Sequence, residues 1–504
     1  MRNQVIQTGQ GPLTDVIHEN AVDLYEKSFR RKLIWIPLAI LAMLIAFLIY
    51  YFGVNRPVEH ADAVEHFKYG SIGSEPGGSM FSTVGGVLPP YWAFKTLPQV
   101  CPEKLPGGYA SLGMIYEPGH DLPIGVSQRR RFGIEEVGLN CAVCHTGTVR
   151  KEAGVQAEII AGMPAHQFDI EGLFQFVLDC SLDERFTADN VIAKAENMGF
   201  IEKILYRTTI VNRIKQQTVL LRNRIGPLLA ATTPKWGRGR VDTFNPYKSI
   251  QFNWNLEQLP HDELIGASDF PSLWNQQPRE KMQLHWDGNN TSVDERNLSA
   301  SLGAGVTPTT VDHASLKRIH DYIWTLAPPK YPFTVDSAGA SRGQAVYQEQ
   351  CADCHSFSGS KTGTVNDIAA IGTDPYRLNS YTYLFAVSQA TLYPDSDYRF
   401  KGFRKTHGYA NQPLDGVWAR APYLHNGSVP TLRDLLEQPE RRPKKFIRGY
   451  DVYDQQKAGF VSDGQATGFA YDTNIPGNGN GGHLYGTMLA DEQKRDLVEF
   501  MKTL

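Results

Sequence analysis

Two stretches of this chain repeat one arrangement of reactive side chains, Cys141-Ala142-Val143-Cys144-His145 and Cys351-Ala352-Asp353-Cys354-His355. Each sets two thiols three residues apart with an imidazole beside the second. Thiols at that spacing would form two thioethers to the vinyl groups of one haem, and the adjacent histidine would bring a ring nitrogen to its iron. A thioredoxin-like redox pair or half of a zinc site also uses Cys-x-x-Cys, but neither accounts for two trailing histidines. Four of the six cysteines lie in these motifs, and the spacing predicts two covalently attached haem groups. The other two, Cys101 and Cys180, would form a disulfide in an oxidising compartment or remain two isolated buried thiols, since sequence gives no distance between them.

The elements that must position these groups follow from patterning. The chain has 504 residues, of which 41% are hydrophobic and 20% charged, with a net charge of −3. That is ordinary globular composition without the basic balance of a nucleic-acid binder. Leu33 to Phe52 is an unbroken run of twenty uncharged residues, long enough for one transmembrane helix, with Pro37 placed in its first turn. Arg30, Arg31 and Lys32 precede the run and Arg56 follows it, so the positive-inside rule puts the N-terminus in the cytoplasm and the remainder outside. A cleaved signal peptide would have a shorter apolar region and a small-residue cleavage site, which Tyr50 to Asn55 does not offer. Residues 1–32 read as a short, partly ordered tail.

Gly70 to Pro106 is dense in glycine and proline, including Pro76-Gly77-Gly78, Gly85-Gly86 and Pro89-Pro90. With Tyr91, Trp92 and Phe94 interleaved, it reads as an ordered loop. From Asp183 to Leu229 the apolar spacing is helical. Two later segments look related: Ser272-Leu273-Trp274-Asn275 leads to Leu284-His285-Trp286-Asp287-Gly288, and Val417-Trp418-Ala419-Arg420 leads to Tyr423-Leu424-His425-Asn426-Gly427. Helices ending at Leu326 and Leu504 follow them. With one motif ahead of each pair, this predicts a duplicated unit, divided at Ala327-Pro328-Pro329-Lys330-Tyr331-Pro332. A helix from Ser341 to Gln350 should deliver Cys351 directly.

On these residues, and above all on Arg420-Ala421-Pro422-Tyr423-Leu424-His425-Asn426-Gly427, the chain resembles the bacterial di-haem cytochrome c peroxidase superfamily, in its rubber-oxygenase-like branch, over roughly residues 70 to 504. The resemblance implies a mainly α fold, an N-terminal transmembrane helix followed by two cytochrome c-like haem domains. The layout is a tail at 1–32, a membrane helix at 33–52, and a connecting segment at 53–100. The N-terminal haem domain then occupies 101–330, with a helical insertion at about 183–260, and the C-terminal cytochrome c domain occupies 331–504. It further implies that peroxide or dioxygen reacts at the N-terminal haem while the C-terminal haem relays an electron, and that attachment takes place in the periplasm.

By the same resemblance Glu295 takes the acid/base position, for which the other reading is a first-turn helix glutamate favoured by the dipole. Arg296 stands where the peroxidases have glutamine. Trp286, with His285, lines the first pocket or packs the core. His483 is the candidate distal ligand of the second haem, with His425 as the alternative, and His166 the candidate for the first. A calcium ion held partly by carbonyls near Pro422 is consistent with the family, although Arg420 departs from its usual neutral residue. Partners would be the membrane and a small redox protein or a quinone-linked electron donor or acceptor. A non-catalytic electron-transfer cytochrome and an enzyme that oxidises a partner's side chain at a distance are the competing functions.

Overall fold

The computed structural model describes residues 13–53, 56–73, 89–131 and 133–504. About 42% of the chain is helical, with only short β-ladders between helices. Two compact units form: residues 1–56 with 131–133, and residues 57–130 with 134–504. Both Cys-x-x-Cys-His motifs lie in the second unit, and no clear cytochrome c-like domains separate out within it.

The first unit is dominated by one helix, Leu13–Gly53, whose stretch Tyr25–Tyr51 is long and apolar enough to cross a membrane. It equally meets the length and composition of an N-terminal signal sequence. The helix begins well before the expected start at Leu33. Extending a nucleated helix adds one hydrogen bond per residue fixed, so the polar segment before the apolar run needs no periodicity of its own. Pro37 therefore sits inside the helix rather than in its first turn.

In the second unit, Pro76-Gly77-Gly78 and Gly85-Gly86 lie outside the described residues. The aromatic residues after Pro89-Pro90 form a helix, Tyr91–Val100, not a loop. Proline just ahead of a first turn fixes the backbone without costing a hydrogen bond, and burial of Tyr91, Trp92, Phe94 and Leu97 holds the helix in place. Cys101, at its end, is joined by a disulfide to Cys180 in the helix Ile170–Ser181, with the Cα atoms 6.0 Å apart. Trp92 Nε1 donates to Glu202 at 3.0 Å. That carboxyl is pushed up to about 7 by burial. The bond ties the aromatic helix to the segment Phe200–Leu205, which runs on through a π-helical turn, Tyr206–Ile210, into Val211–Leu229.

The duplication is visible in backbone geometry. Leu284 bridges Asn290 as Tyr423 bridges Val429. Inside these loops His285 and Leu424 take left-handed backbone at φ +64° and +69°, and Gly288 and Gly427 at +63° and +61°. Ser292 then caps the helix Val293–Gly303 as Thr431 caps Leu432–Leu435. Upstream, Asn275 N donates to Leu326 O at 2.7 Å and Gly416 N to Leu504 O at 2.8 Å. The register of the upstream segments is therefore Pro271 to Arg279 with Gln412 to Arg420, which corrects the pairing of Ser272–Asn275 with Val417–Arg420. The aromatic residues that suggested that pairing sit at different steps of the two turns, whereas the hydrogen bonds to the ends of the closing helices fix the match.

Candidate functional site

The first motif is a short turn, Cys141–Val143. Asn140 sets it: its Oδ1 accepts from Ala142 N at 2.9 Å, and its Nδ2 donates to Lys68 O and Gly70 O at 3.2 and 3.0 Å. The motif is thereby pinned to the end of the helix Ala63–Tyr69. In the second copy the helix Ser337–Gln350 runs straight into Cys351, with Asp336 as its cap. That helix lies so close to the closing helix Asp491–Met501 that a Cβ on Gly343 would meet the Asp496 carbonyl at 1.9 Å.

The two motif histidines are held alike. His145 Nδ1 donates to Pro271 O and His355 Nδ1 to Gln412 O, each at 2.8 Å, and these carbonyls occupy matching positions of the repeat. With Nδ1 carrying the proton, Nε2 keeps the lone pair that a metal needs. Burial lowers both imidazoles, His145 to about 4, so both are neutral near pH 7. Cys141, Cys144, Cys351 and Cys354 are free thiols, and burial raises each, Cys141 to about 11. A redox-active Cys-x-x-Cys pair shows the opposite shift. Among the described residues no group of three or more His, Cys, Asp or Glu side chains gathers as a metal cage. The donor set fits haem c, whose iron needs only axial ligands from the chain.

His483 faces His355. Their ring centres are 6.2 Å apart, and two imidazoles sharing one metal at a nitrogen–metal distance of about 2 Å place their ring centres about 6 Å apart. His483 is lowered to about 3, first by burial and then by His355. Its loop is clamped by Arg442, whose Nη1 donates to Asn480 O and Gly482 O at 2.6 and 2.9 Å and whose Nη2 donates to His483 O at 3.1 Å. Gly482 takes φ +70°, where a Cβ would meet Ile371 O at 2.4 Å. His425 is occupied otherwise: it stacks on Tyr409 and donates from Nε2 to the Tyr409 hydroxyl at 3.0 Å, which itself donates to Asp374 O.

Around the first motif the arrangement differs. Among the described residues no other aromatic or imidazole ring stands within stacking range of His145. His166 is buried, stacks on Phe460 at 3.7 Å and donates from Nε2 to Thr148 O at 2.9 Å, so it is not brought face to face with His145. Glu295 is the third residue of the helix capped by Ser292, and its carboxylate accepts from Lys401 N at 2.8 Å and from Gly402 N and Asn290 Nδ2 at 2.9 Å. Its next neighbour Arg296 carries the charge that acts on Cys141 and His145. Trp286 donates from Nε1 to Asp269 O at 2.8 Å. Arg420 and Arg279, matching residues of the repeat, both pair with Asp415.

Sequence reasoning missed Arg442, Asp415 and the two carbonyls at Pro271 and Gln412. The spacing of the motifs contains no sign of partners that lie far along the chain.

A family model described as RoxA-like, cytochrome c-like, matches residues 408–447, the stretch holding the second loop and Arg442. The match supports a c-type cytochrome. Two uncharacterised proteins of Sinorhizobium fredii are also similar. The chain is 35% identical to y4iM over 284 residues, covering 47% of this chain and 64% of that protein. It is 26% identical to y4iJ over 508 residues, covering 79% of this chain and 82% of that protein.

Proposed function

We propose that this chain is a di-haem c-type cytochrome with oxidoreductase activity, using peroxide or dioxygen at the haem held by Cys141, Cys144 and His145. The haem held by Cys351, Cys354 and His355 relays electrons. Haem c, when bound, supplies an iron that exchanges single electrons and, where one axial face is open, takes a small oxidant. The observation that carries this reading is an asymmetry: His355 has an imidazole opposite it at 6.2 Å, whereas His145 has none among the described residues.

The chain's own residues act by holding and shaping. The Pro271 and Gln412 carbonyls orient the two proximal imidazoles, Arg442 carries the loop that presents His483, and Arg296 places positive charge beside the first motif. Exposed Phe357, Leu484, Tyr485 and Met488 flank the second motif and its facing histidine, which suits transient docking of a small redox protein there. The apolar helix anchors the chain in the cytoplasmic membrane with both haem sites on the periplasmic side, where the Cys101–Cys180 disulfide is stable.

Low-temperature EPR of the ferric full-length protein tests this reading. One high-spin and one low-spin signal are expected, the low-spin signal being lost in His483→Ala. Two low-spin signals in the ferric protein, with no high-spin signal appearing after addition of one electron, would replace the reading with a pure electron relay.

A further inference from the structure

One polar group beside the first motif has no task in the mechanism above. His285 Nε2 is buried and meets no hydrogen-bond partner, a state that folded proteins seldom leave without a purpose. The loop itself does not require a histidine there. At the matching position of the second copy Leu424 takes the same left-handed backbone, and an apolar side chain serves.

Two charges act on His285, those of Arg296 and Arg377, and the first of them links it to the Cys141–His145 motif. Its ring lies edge-on to Phe403, with centres 6.3 Å apart. Phe403 and Cys141 pack against one apolar cluster with Ala142, Leu298 and Leu302. Arg296, on the helix that supplies both leucines, is close enough for its charge to act on Cys141, His145 and His285 alike. Burial, with Arg279 nearby, lowers this guanidinium to about 10, still far above neutrality, so it stays charged. A ring nitrogen without a partner and a buried cation thus converge on the motif whose histidine lacks a facing imidazole.

We propose that His285 is the hydrogen-bond donor to a small oxidant, or to an anion in its place, in the first haem pocket, with Arg296 as the positive charge beside it. This rests on the open first site proposed above. The assignment gives the first copy a polar distal wall where the second copy has leucine, and so separates a site that takes a ligand from one that only passes electrons.

The test uses the ferric full-length protein with fluoride as probe, comparing wild type, His285→Leu and His285→Gln by EPR and by fluoride titration. His285→Leu copies the residue that the second loop already tolerates, and the low-spin signal assigned to His355 and His483 reports that each variant is folded. The expected result is a high-spin first haem in all three proteins, fluoride binding about tenfold weaker in His285→Leu, and most of the loss restored in His285→Gln. Unchanged fluoride affinity in His285→Leu would overturn the proposal while leaving the open site intact. A first haem that is low-spin in wild type and turns high-spin in His285→Leu would show His285 to be a ligand, overturning both the proposal and the open site. A wild-type protein with no high-spin haem in any variant would likewise overturn both.

Discussion

Glu295 has two chemistries open to it, proton transfer and the joining of two segments, and its partners bear on the second. This carboxylate accepts from two backbone amides and one side-chain amide, contacts that suit a structural acceptor. Those bonds splice the helix Val293–Gly303 to the segment at Lys401 and Gly402. Glu295→Gln would turn an amide donor toward at least one of these N–H groups, and the expected cost is about 1–3 kcal/mol of stability. Chemical denaturation checks it, and an unchanged stability accompanied by loss of turnover would instead support the acid/base role. His166 gives a prediction of the opposite kind. Buried among Thr148, Phe460, Asp451, Arg448 and Arg238, its imidazole is lowered to about 4, chiefly by desolvation. The unfolded chain takes up a proton near pH 6.5, so between about 6.5 and 4 the unfolded state binds more protons and stability falls as pH falls. Between pH 7 and 4.5 this one residue should remove about 2–3 kcal/mol, and His166→Gln should flatten the decline by that amount in unfolding experiments at the two pH values.

At the scale of elements, the loops rather than the helices bring the chemistry together. The Cys-x-x-Cys-His pairs were legible because thioether attachment demands contiguous residues, and the two glycine-containing loops were legible because each repeats a left-handed step that few side chains tolerate. The clamp on His483 was not. Arg442 reaches its carbonyls at Asn480, Gly482 and His483 across about forty residues, and a side chain bonding to distant backbone leaves no periodic trace. Its contribution is testable through the ligand it positions. Arg442→Lys keeps the charge but loses the planar fork, so several carbonyls lose their donors. Expected are a loss of about 2–4 kcal/mol and a weakened or heterogeneous low-spin EPR signal, with the first haem unaffected. An unaltered low-spin signal would mean that His483 is held by its own backbone bond to Ile371 and that Arg442 serves stability alone.

At the scale of the whole molecule, the sequence anticipated two successive haem units, and the second compact unit contains both motifs without a clear division. The reason lies in where the repeats interlock. Asn275 and Arg279 of the first copy bond to Asp415 of the second, and Asp269 N donates to His425 O at 2.9 Å, so matching segments pack on each other instead of each closing on itself. The first copy is also interrupted: the chain leaves the helix Ala63–Tyr69 and returns at Asn140 before Cys141, and the long helix Val211–Leu229 is added after the motif. These additions rest on the cross-link between Cys101 and Cys180, which closes a loop of 79 residues. Both cysteines are fully buried, so the disulfide acts on the unfolded chain rather than as an accessible switch. Removing it in a Cys101→Ala/Cys180→Ala variant should cost about 2–5 kcal/mol, measured as a lower denaturant midpoint. Reductant added to the unfolding reaction should lower the wild-type midpoint by the same amount and leave the variant unchanged. Because the contacts of the two sulfurs run to Cys180 O and Leu97 O and not to the motifs, haem incorporation and both EPR signals should survive in the variant, and their loss would mean that the helix Tyr91–Val100 shapes the first haem site directly.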